Sequence, residues 1–330
     1  MSSTGTALVT GGSGFIGRRL VHQLLARGTD VRVLDRQLPP IEVAAFVGDV
    51  RDAKLVDKAV HGVDTIYHLA AAVGARASVE NASEVVDVNA RGTALLLDAA
   101  ERHGVDCVVL ASSVAVFGDT SSHPDGRADV NHPRRPVSPY GASKLAAEGL
   151  LWAFAASSPA RTAVARLTSV YGPEAREDQA VGRFLKALQR GRTVSLFGDG
   201  TSTRDYLHVD DACRELRRAA SQASRQQPHV RHGATGVATS LRELVELLQE
   251  ISGRSADLDV CHPQPGDPHT CLARPTDATL PGGARRSLRA GLEELWSRWF
   301  VEPGDPPLPP MSGLHRPAFR PTATGALLHL

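Results

Sequence analysis

Tyr140 and Lys144 are four residues apart, in the stretch Ser138–Lys144 (SPYGASK). On a helix this spacing puts both side chains on one face. A free tyrosine has a pKa of about 10, but a neighbouring lysine cation favours the phenolate and lowers that value. A tyrosine tuned in this way can exchange a proton with a hydroxyl group of a substrate. The spacing alone is weak evidence, because an ordinary amphipathic surface helix also produces it.

A glycine-rich turn lies between two predicted strands near the N-terminus. The strand 6–10 leads into Gly11, Gly14 and Gly17, an apolar helix follows, and the strand 31–35 ends at Asp35. In a dinucleotide-binding unit such glycines make the tight turn, let a pyrophosphate reach the helix N-terminus and let helix and strand pack closely. An ordinary turn is the alternative. Asp35 favours NAD over NADP, because its carboxylate would bind the adenosine ribose and repel a 2′-phosphate; Arg36 would soften this preference.

Strands and helices alternate along the next 150 residues. We predict strands at 43–47, 64–69, 105–111 and 162–167, and helices at 80–103 and 139–155. This alternation predicts an α/β fold with a Rossmann doubly wound parallel sheet, in which ligands bind at the carboxyl ends of the strands. Ser113 follows such an end, so we expect its hydroxyl to bond the same substrate oxygen as Tyr140, although a serine in a turn is common.

The composition excludes several classes of function. The chain has 330 residues, a net charge of +1 and four scattered cysteines without a C-x-x-C pair. Balanced charge gives no argument for a nucleic-acid partner or an anionic membrane. No apolar run approaches the roughly 18 residues of a membrane span, and no signal peptide is visible. We therefore expect a cytoplasmic protein with reduced thiols, and no metal site.

Seven motifs together resemble the extended short-chain dehydrogenase/reductases, and within them the NAD-dependent nucleotide-sugar epimerases and dehydratases. In family order the motifs are Thr10–Gly17 (TGGSGFIG), His68–Ala71 (HLAA), Asn89–Thr93 (NARGT), Ser112–Gly118 (SSVAVFG), Tyr140–Lys144 (YGASK), Arg166–Pro173 (RLTSVYGP) and Gly198–Asp211 (GDGTSTRDYLHVDD). The resemblance implies NAD as the cofactor, a nucleotide-sugar substrate, and a homodimer packed through the helices at 80–103 and 139–155.

The resemblance also implies roles for individual residues. Tyr140 would be the base, Lys144 would tune it and hold the nicotinamide ribose, and Ser113 would orient the sugar. We expect Asp49 at the adenine amino group and Val50 against the adenine ring. The predicted cofactor contacts are Gly11, Gly14, Phe15, Ile16, Gly17, Asp35, Arg36, Asp49, Val50, Leu69, Ala70, Ala71, Asn89, Tyr140 and Lys144.

Two departures from the family pattern bear on the reaction. The 4,6-dehydratases carry an Asp-Glu pair just after the catalytic hydroxyl, where this chain has Val114 and Ala115. Decarboxylases that make UDP-xylose usually keep a glutamate at the Ala115 position. Because neither residue transfers protons, the chain is predicted to oxidise and reduce its sugar without elimination.

Other positions bear on the substrate. Ser169 and Arg176 resemble a pair in the UDP-glucuronate 4-epimerases, where a hydroxyl and a guanidinium would hold a sugar carboxylate and limit loss of carbon dioxide. Arg76 lies in a segment that also resembles those enzymes. Two observations argue against this assignment. The carboxylate pocket of those enzymes has hydroxyls where this chain has Val114 and Ala115. Arg176 could also be an ordinary solvated arginine in a loop. Arg204, in the triplet 204–206, is expected to face the nucleotide diphosphate, and Arg274 a phosphate.

The resemblance divides the chain into three parts. We predict an NAD-binding domain at 1–165 to which 205–230 returns, a smaller and mainly substrate-binding domain at 166–302, and a flexible proline-rich tail at 303–330. Ser240 and Glu243 form a capping box before an apolar helical pattern. The predicted function is an NAD-dependent UDP-sugar 4-epimerase that works through a 4-keto intermediate, with UDP-glucuronate to UDP-galacturonate favoured and UDP-glucose/UDP-galactose second. The alternatives are an NAD(P)H-dependent nucleotide-sugar 4-ketoreductase and a non-catalytic NAD-binding regulator.

Overall fold

A computed structural model describes residues 5–123, 125–175, 177, 179–263, 266–277, 283 and 285–299. The strands are β1 (Thr6–Thr10), β2 (Asp30–Asp35), β3 (Ala44–Val47), β4 (Thr65–His68), β5 (Cys107–Ser113), β6 (Arg127–Ala128), β7 (Arg161–Leu167), β8 (Ser169–Tyr171), β9 (Val194–Phe197), β10 (Thr203–Arg204), β11 (Tyr206–His208), β12 (His229–Gly233), β13 (Thr239–Ser240), β14 (Leu258–Cys261) and β15 (Thr270–Ala273). The helices are α1 (Phe15–Leu25), α2 (Ala53–Val60), α3 (Ala75–Glu80), α4 (Ala82–Val86), α5 (Gly92–Arg102), α6 (Pro139–Ser157), α7 (Ala180–Gln189), α8 (Val209–Gln222), α9 (Leu241–Ser252) and α10 (Leu288–Trp299).

Seven parallel strands form the main sheet, in the order β12-β7-β5-β4-β1-β2-β3. Helices α1 and α8 pack on one face, and α2, α5 and α6 pack on the other. The central strands are rich in valine, leucine and alanine because both faces of a parallel sheet are buried. The Rossmann fold predicted from the sequence is confirmed.

The strand order reverses at β1, which has β2 on one side and β4 on the other. Thr10 at the end of β1 pairs in register with His68 at the end of β4. In open α/β sheets the crevice outside such a switch point binds the ligand. The glycine-rich turn and the segment after β4 both open onto this crevice.

The helix predicted at 80–103 is not continuous. It consists of α4, a π-helical turn at Asp87–Arg91, and α5. A π turn inserts one extra residue into a helix and often marks a functional site. Here the turn carries Asn89, whose buried side chain forms hydrogen bonds with the backbone of Ala72. Periodicity alone could not reveal the turn, because the apolar pattern continues through it.

The C-terminal part carries its own small sheets. Strands β13, β10, β15 and β6 form one sheet, and β8 pairs with β11 and β9 with β14. Leucines of α7, α9 and α10 pack into a separate core. The predicted capping box of α9 is confirmed, because Glu243 N–H donates to Ser240 Oγ and Ser240 N–H donates to Glu243 Oε2. The domain boundaries at 165 and 302 stay a prediction, and the predicted tail 303–330 lies outside the described residues.

Three further features concern membrane spans, thiols and metal clusters. Among the described residues, no helix has the length and apolar character to cross a membrane. All four cysteines are free thiols, and Cys107, Cys213 and Cys271 are buried. Within the same described part, no cluster of three histidine, cysteine or acidic side chains is arranged to hold a metal ion.

Candidate active site

The glycine-rich turn after β1 needs glycine for steric reasons. Gly11 has φ +71°, a backbone conformation that side chains other than glycine rarely adopt. A Cβ atom at position 17 would lie 2.0 Å from the carbonyl oxygen of Gly11, so only glycine lets α1 start this close to the turn. Gly14 is the N-cap of α1. Phe15 and Ile16 begin the helix as partly buried residues that pack against the core of the sheet.

Asp35 at the end of β2 holds this turn in place. Its Oδ2 accepts a hydrogen bond from Ser13 N–H at 3.0 Å, and its Oδ1 accepts one from Gln37 N–H at 3.1 Å. The carboxylate is partly exposed, so each oxygen keeps a free lone pair. Arg36 beside it is exposed. Asp35 therefore connects the end of β2 to the turn, and its contact with a ribose stays a prediction.

Asp49 lies at the same end of the sheet, after β3. Its carboxylate forms two hydrogen bonds with the Arg51 guanidinium, at 2.9 and 2.8 Å. These bonds lower the pKa of Asp49 to about 2, with a smaller contribution from Arg36. Val50 is 4% exposed. The Asp49 carboxylate is thus held in place beside a buried valine, and the adenine contacts of both residues stay predictions.

A chain of hydrogen bonds crosses the crevice between the ends of β1 and β4 and helix α5. The buried ring of His68 contacts Thr10 Oγ1 at 2.7 Å and Thr93 Oγ1 at 2.9 Å. Thr93 donates to the carbonyl oxygen of Asn89 at 2.6 Å. Burial and the Lys144 charge lower the pKa of His68 to about 3, so the ring is neutral. Because the only hydroxyl proton of Thr93 goes to Asn89, Thr93 Oγ1 must accept from His68, and the network therefore assigns the ring proton to Nε2.

The small residues after β4 lie directly against the glycine turn. Leu69 N–H donates to the carbonyl oxygen of Thr10 at 3.1 Å, and Ala70 and Ala71 are partly buried. A Cβ atom on Gly11 would lie 2.7 Å from the nitrogen of Ala70. These contacts bring the predicted cofactor residues of two strand ends into one crevice.

Asn89 connects the π turn to the helix of the candidate base. Its Nδ2 donates to Ser143 Oγ at 2.8 Å, and Ser143 Oγ donates to the carbonyl oxygen of Tyr140 at 2.8 Å. Ser143 and Asn89 are both buried. The first turn of α6 is therefore fixed by a side chain from the opposite wall of the crevice.

Tyr140 and Lys144 lie one helical turn apart on α6. Ser138 caps this helix by accepting from Gly141 N–H at 3.1 Å, and Pro139 occupies its first turn. Lys144 is 4% exposed and donates to the carbonyl oxygen of Ala111 on β5 at 2.9 Å. Burial lowers the pKa of Lys144 to about 8, whereas the Glu148 charge raises it.

The pKa of Tyr140 differs from the sequence-based expectation. Burial raises it to about 12, and hydrogen bonding with Ser113 acts in the opposite direction. Lys144 does not lower the pKa of Tyr140, and its Nζ instead donates a hydrogen bond to the carbonyl oxygen of Ala111 on β5. The structure thus brings Ser113 and Tyr140 together, and gives the lysine a separate anchor.

The predicted substrate residues have different environments. Ser169 begins β8 and is partly buried beside Tyr206 of β11. Arg204 forms an ion pair with Asp267 and donates to the carbonyl oxygen of Pro268 at 2.8 Å. Arg274 is 53% exposed and pairs with Asp125 at 2.9 Å. The side chain of Arg76 and the whole of Arg176 lie outside the described residues.

Asp205 does not lie where the sequence-based expectation put it. The triplet 204–206 was expected to face a nucleotide diphosphate. Asp205 is instead completely buried, and its carboxylate accepts hydrogen bonds from the amides of Thr235 and Gly236 and from the Thr235 hydroxyl. A carboxylate with these partners holds a turn together rather than meeting a second anion.

Residues 7–231 match the sequence model of the NAD dependent epimerase/dehydratase family. The chain belongs to this family. The epimerase/dehydratase is 34% identical over 267 residues to a dTDP-glucose 4,6-dehydratase of Streptomyces antibioticus, which covers 76% of this chain and 78% of that protein. It is 32% identical over 275 residues to a putative UDP-glucose 4-epimerase of Methanocaldococcus jannaschii. That match covers 79% of this chain and 87% of the other protein.

Solved structures support the same family. MoeE5 in complex with UDP-glucose and NAD is similar with a TM-score of 0.83 and 35% identity, over 89% of this chain and 99% of that one. MoeE5 in complex with UDP-glucuronic acid and NAD gives a TM-score of 0.82 and 34% identity, again over 89% and 99%. The recognition of the family from its motifs is confirmed.

NAD is the cofactor of this epimerase/dehydratase. The described residues fit the group, because no described side chain caps the N-terminus of α1, whose N–H groups are suited to a phosphate. The individual contacts predicted from the sequence stay predictions.

Sequence reasoning missed four residues of the site: Thr10, His68, Thr93 and Ser143. All four lie inside quoted motifs, yet no role was assigned to them. The available signal was the pair Thr10 and His68 at the ends of strands predicted to be neighbours. The Asn89 link to Ser143 could not be found, because it depends on the π turn.

Proposed function

We propose that this epimerase/dehydratase is a UDP-sugar 4-epimerase, which inverts C4 through a 4-keto intermediate. The observation that carries this proposal is the apolar turn after Ser113. Val114 is 5% exposed and packs with Val116 and Phe117, and Ala115 has no side-chain proton to give. Overall similarity does not separate epimerases from dehydratases, since both occur among the relatives. The residues at 114 and 115 favour a reaction without elimination of water.

The described residues suit reversible oxidation at a sugar carbon. Tyr140 would take the hydroxyl proton at C4 and return it, while Ser113 holds the same oxygen. Lys144 and the network through Asn89 would fix the position of Tyr140. Bound NAD supplies hydride acceptance and return, so no external reductant is consumed. Rotation of the keto sugar between the two transfers would present its other face.

We propose UDP-glucuronate as the leading substrate and UDP-glucose as the second. Ser169 offers a short hydroxyl at the start of β8, where many relatives have asparagine, and Arg176 follows seven residues later in the sequence. A hydroxyl and a guanidinium suit a planar carboxylate. MoeE5 has been solved with both UDP-glucose and UDP-glucuronic acid, so a relative of this fold accommodates either sugar.

We also propose a homodimer through α4, α5 and α6, in the cytoplasm. Val86 and Trp152 on these helices are 45% and 37% exposed, and a shallow apolar groove runs along Ala82, Val86 and Ala90. Such an exposed apolar face is typical of a protein interface. The four free thiols support a reducing compartment. Light scattering of the purified protein would test the dimer.

The test of the function is proton NMR of the purified protein with UDP-glucuronate and no added cofactor. We expect a second anomeric signal, from UDP-galacturonate, and its absence with Tyr140→Phe. UDP-glucose is tested under the same conditions. A 4-keto-6-deoxy product from dTDP-glucose would contradict the epimerase and support a dehydratase. If neither UDP sugar gives a product signal and a 4-keto sugar causes oxidation of NADPH, the result would support the 4-ketoreductase. Inactivity in every assay would favour the regulator.

The carboxylate role is tested by Ser169→Asn and Arg176→Ala. Each should lower kcat/KM for UDP-glucuronate by about tenfold or more relative to UDP-glucose, since a charge-assisted hydrogen bond contributes about 1.5–3 kcal/mol. Arg190→Ala, at the exposed end of α7, is the matched control. Equal losses for both sugars would assign Ser169 and Arg176 a general role instead.

A further inference from the structure

Gly141 directly follows Tyr140 and lies against the 3₁₀ turn at Val114–Val116. A Cβ atom at position 141 would lie 2.5 Å from the carbonyl oxygen of Ala115 and 3.0 Å from Cβ of Pro136. The first contact is far inside van der Waals distance, and it involves backbone rather than the end of a flexible side chain. Helix α6 and the turn approach this closely only because residue 141 has no side chain.

Ala115 is also the residue that holds Ser113. Its amide donates to Ser113 Oγ at 3.1 Å, and its carbonyl oxygen accepts from Gly118 N–H at 3.3 Å. Because Ser113 Oγ accepts one bond here, its own proton is directed elsewhere. Ser113 also lies close enough to Tyr140 to lower the pKa of its hydroxyl. Ala115 is therefore fixed by Ser113 at its amide and touched by Gly141 at its carbonyl.

We propose that Gly141 is a positioning residue that sets the separation between the hydroxyl groups of Ser113 and Tyr140. The proposal rests on the proposed 4-epimerase function, in which both hydroxyls meet one sugar oxygen. A methyl group at position 141 would displace the turn by roughly 0.5–1 Å, because carbon and oxygen atoms do not pack at 2.5 Å. A misplacement of about 1 Å lowers the rate of an enzymatic step by up to about 100-fold.

The same helix provides a matched control. Gly149 also lies in α6, is exposed, and a Cβ atom there would meet no atom within 4 Å. Both glycine-to-alanine substitutions increase helix propensity in the same helix. A difference between them therefore reports the contact with Ala115 rather than the helix.

The first experiment compares turnover of four variants. Gly141→Ala should lower kcat about 10- to 100-fold, with KM and bound NAD unchanged, whereas Gly149→Ala should stay within twofold of the wild type. When Gly141→Ala is added to Ser113→Ala, kcat should fall by less than about threefold relative to Ser113→Ala alone. The Ser113 hydroxyl, through which Gly141 acts, is already missing in that protein. The proposal is wrong if folded Gly141→Ala keeps kcat within threefold of the wild type. It is also wrong if the fold-decrease in kcat of the double variant equals the product of the two single decreases.

The second experiment needs neither substrate nor turnover. The chain has four tyrosines, so protein labelled with 3-fluorotyrosine gives a small fluorine NMR spectrum, and Tyr140→Phe assigns its signal. Gly141→Ala should shift the Tyr140 signal and Gly149→Ala should not. An unshifted signal overturns the proposal. If the wild type epimerises no UDP sugar, the proposed function is wrong. The fluorine spectrum would still test whether the contact of Gly141 with Ala115 positions Tyr140.

A third variant covers the case in which Gly141→Ala does not fold. Ala115→Gly adds no atoms but loosens the 3₁₀ turn, since glycine is conformationally freer. It should lower kcat several-fold at unchanged KM and shift the Tyr140 fluorine signal. If Ala115→Gly keeps the wild-type kcat and the wild-type fluorine signal of Tyr140, the contact of Gly141 contributes only to stability and the proposal is overturned.

Discussion

Glu148 and Arg166 form a completely buried ion pair one helical turn after Lys144. Arg166 Nη2 lies 2.8 Å from Glu148 Oε2, and Arg166 Nε lies 2.9 Å from Glu148 Oε1. Ser112 donates to Glu148 Oε1 at 2.6 Å, and Arg166 donates to the carbonyl oxygen of Val130 at 3.0 Å. The pair thus connects α6, β5 and β7 directly behind the candidate catalytic residues.

Glu148→Gln should destabilise the protein strongly. The substitution leaves the Arg166 cation buried beside an amide, and breaking a buried pair costs about 3–5 kcal/mol. Chemical denaturation of the two proteins would measure the difference. Asp57→Asn is the control, because Asp57 pairs with Arg102 at the surface and its loss should change stability far less. Equal effects of the two substitutions would contradict a structural role for the pair.

Lys144 should make stability depend on pH. Burial lowers its pKa from 10.5 to about 8, so the unfolded chain binds more protons than the folded chain between these values. Stability contributed by this group therefore rises with pH between about 8 and 10.5, by up to about 3 kcal/mol. Below pH 8 the cost of the buried cation is fully present.

Lys144→Met provides the measurement. The variant should be more stable than the wild type at pH 7, and the stability difference should shrink as the pH rises towards 10.5. Denaturation curves at pH 7, 8, 9 and 10 would follow this change. A difference that is independent of pH would show that the lysine keeps its ordinary pKa in the folded protein.

Tyr140→Phe should lower kcat by about 10²–10⁴-fold, the usual contribution of a general acid–base group. Bound NAD should stay, because the substitution removes only the hydroxyl. Tyr67→Phe, at a buried tyrosine of β4, is the matched control and should keep its activity. If Tyr140→Phe keeps kcat within threefold of the wild type, Tyr140 is not the general acid–base group of the reaction.

Periodicity and glycine spacing predicted the sheet and the cofactor crevice, because both follow from local patterns. Thr6–Thr10, the glycine turn and Asp35 needed only 30 residues of sequence. The link from Asn89 to Ser143 and the burial of Asp205 were missed for one physical reason. Each depends on a partner distant in the chain, Ser143 in one case and Thr235 in the other, which only the tertiary structure supplies.

Asp35→Asn should weaken the preference for NAD over NADP without opening the glycine turn. The asparagine oxygen can still accept from Ser13 N–H, whereas the bond from Gln37 N–H is lost because an amide nitrogen does not accept. The negative charge that would repel a 2′-phosphate is lost, and exposed Arg36 beside it would then attract that group. We expect the ratio of NADP to NAD affinity to rise about tenfold, an effect of about 1.4 kcal/mol. Calorimetric titration of cofactor-free protein would measure both affinities. Asp30→Asn, at the exposed start of the same strand, is the control, and an unchanged ratio in Asp35→Asn would place the source of the preference elsewhere.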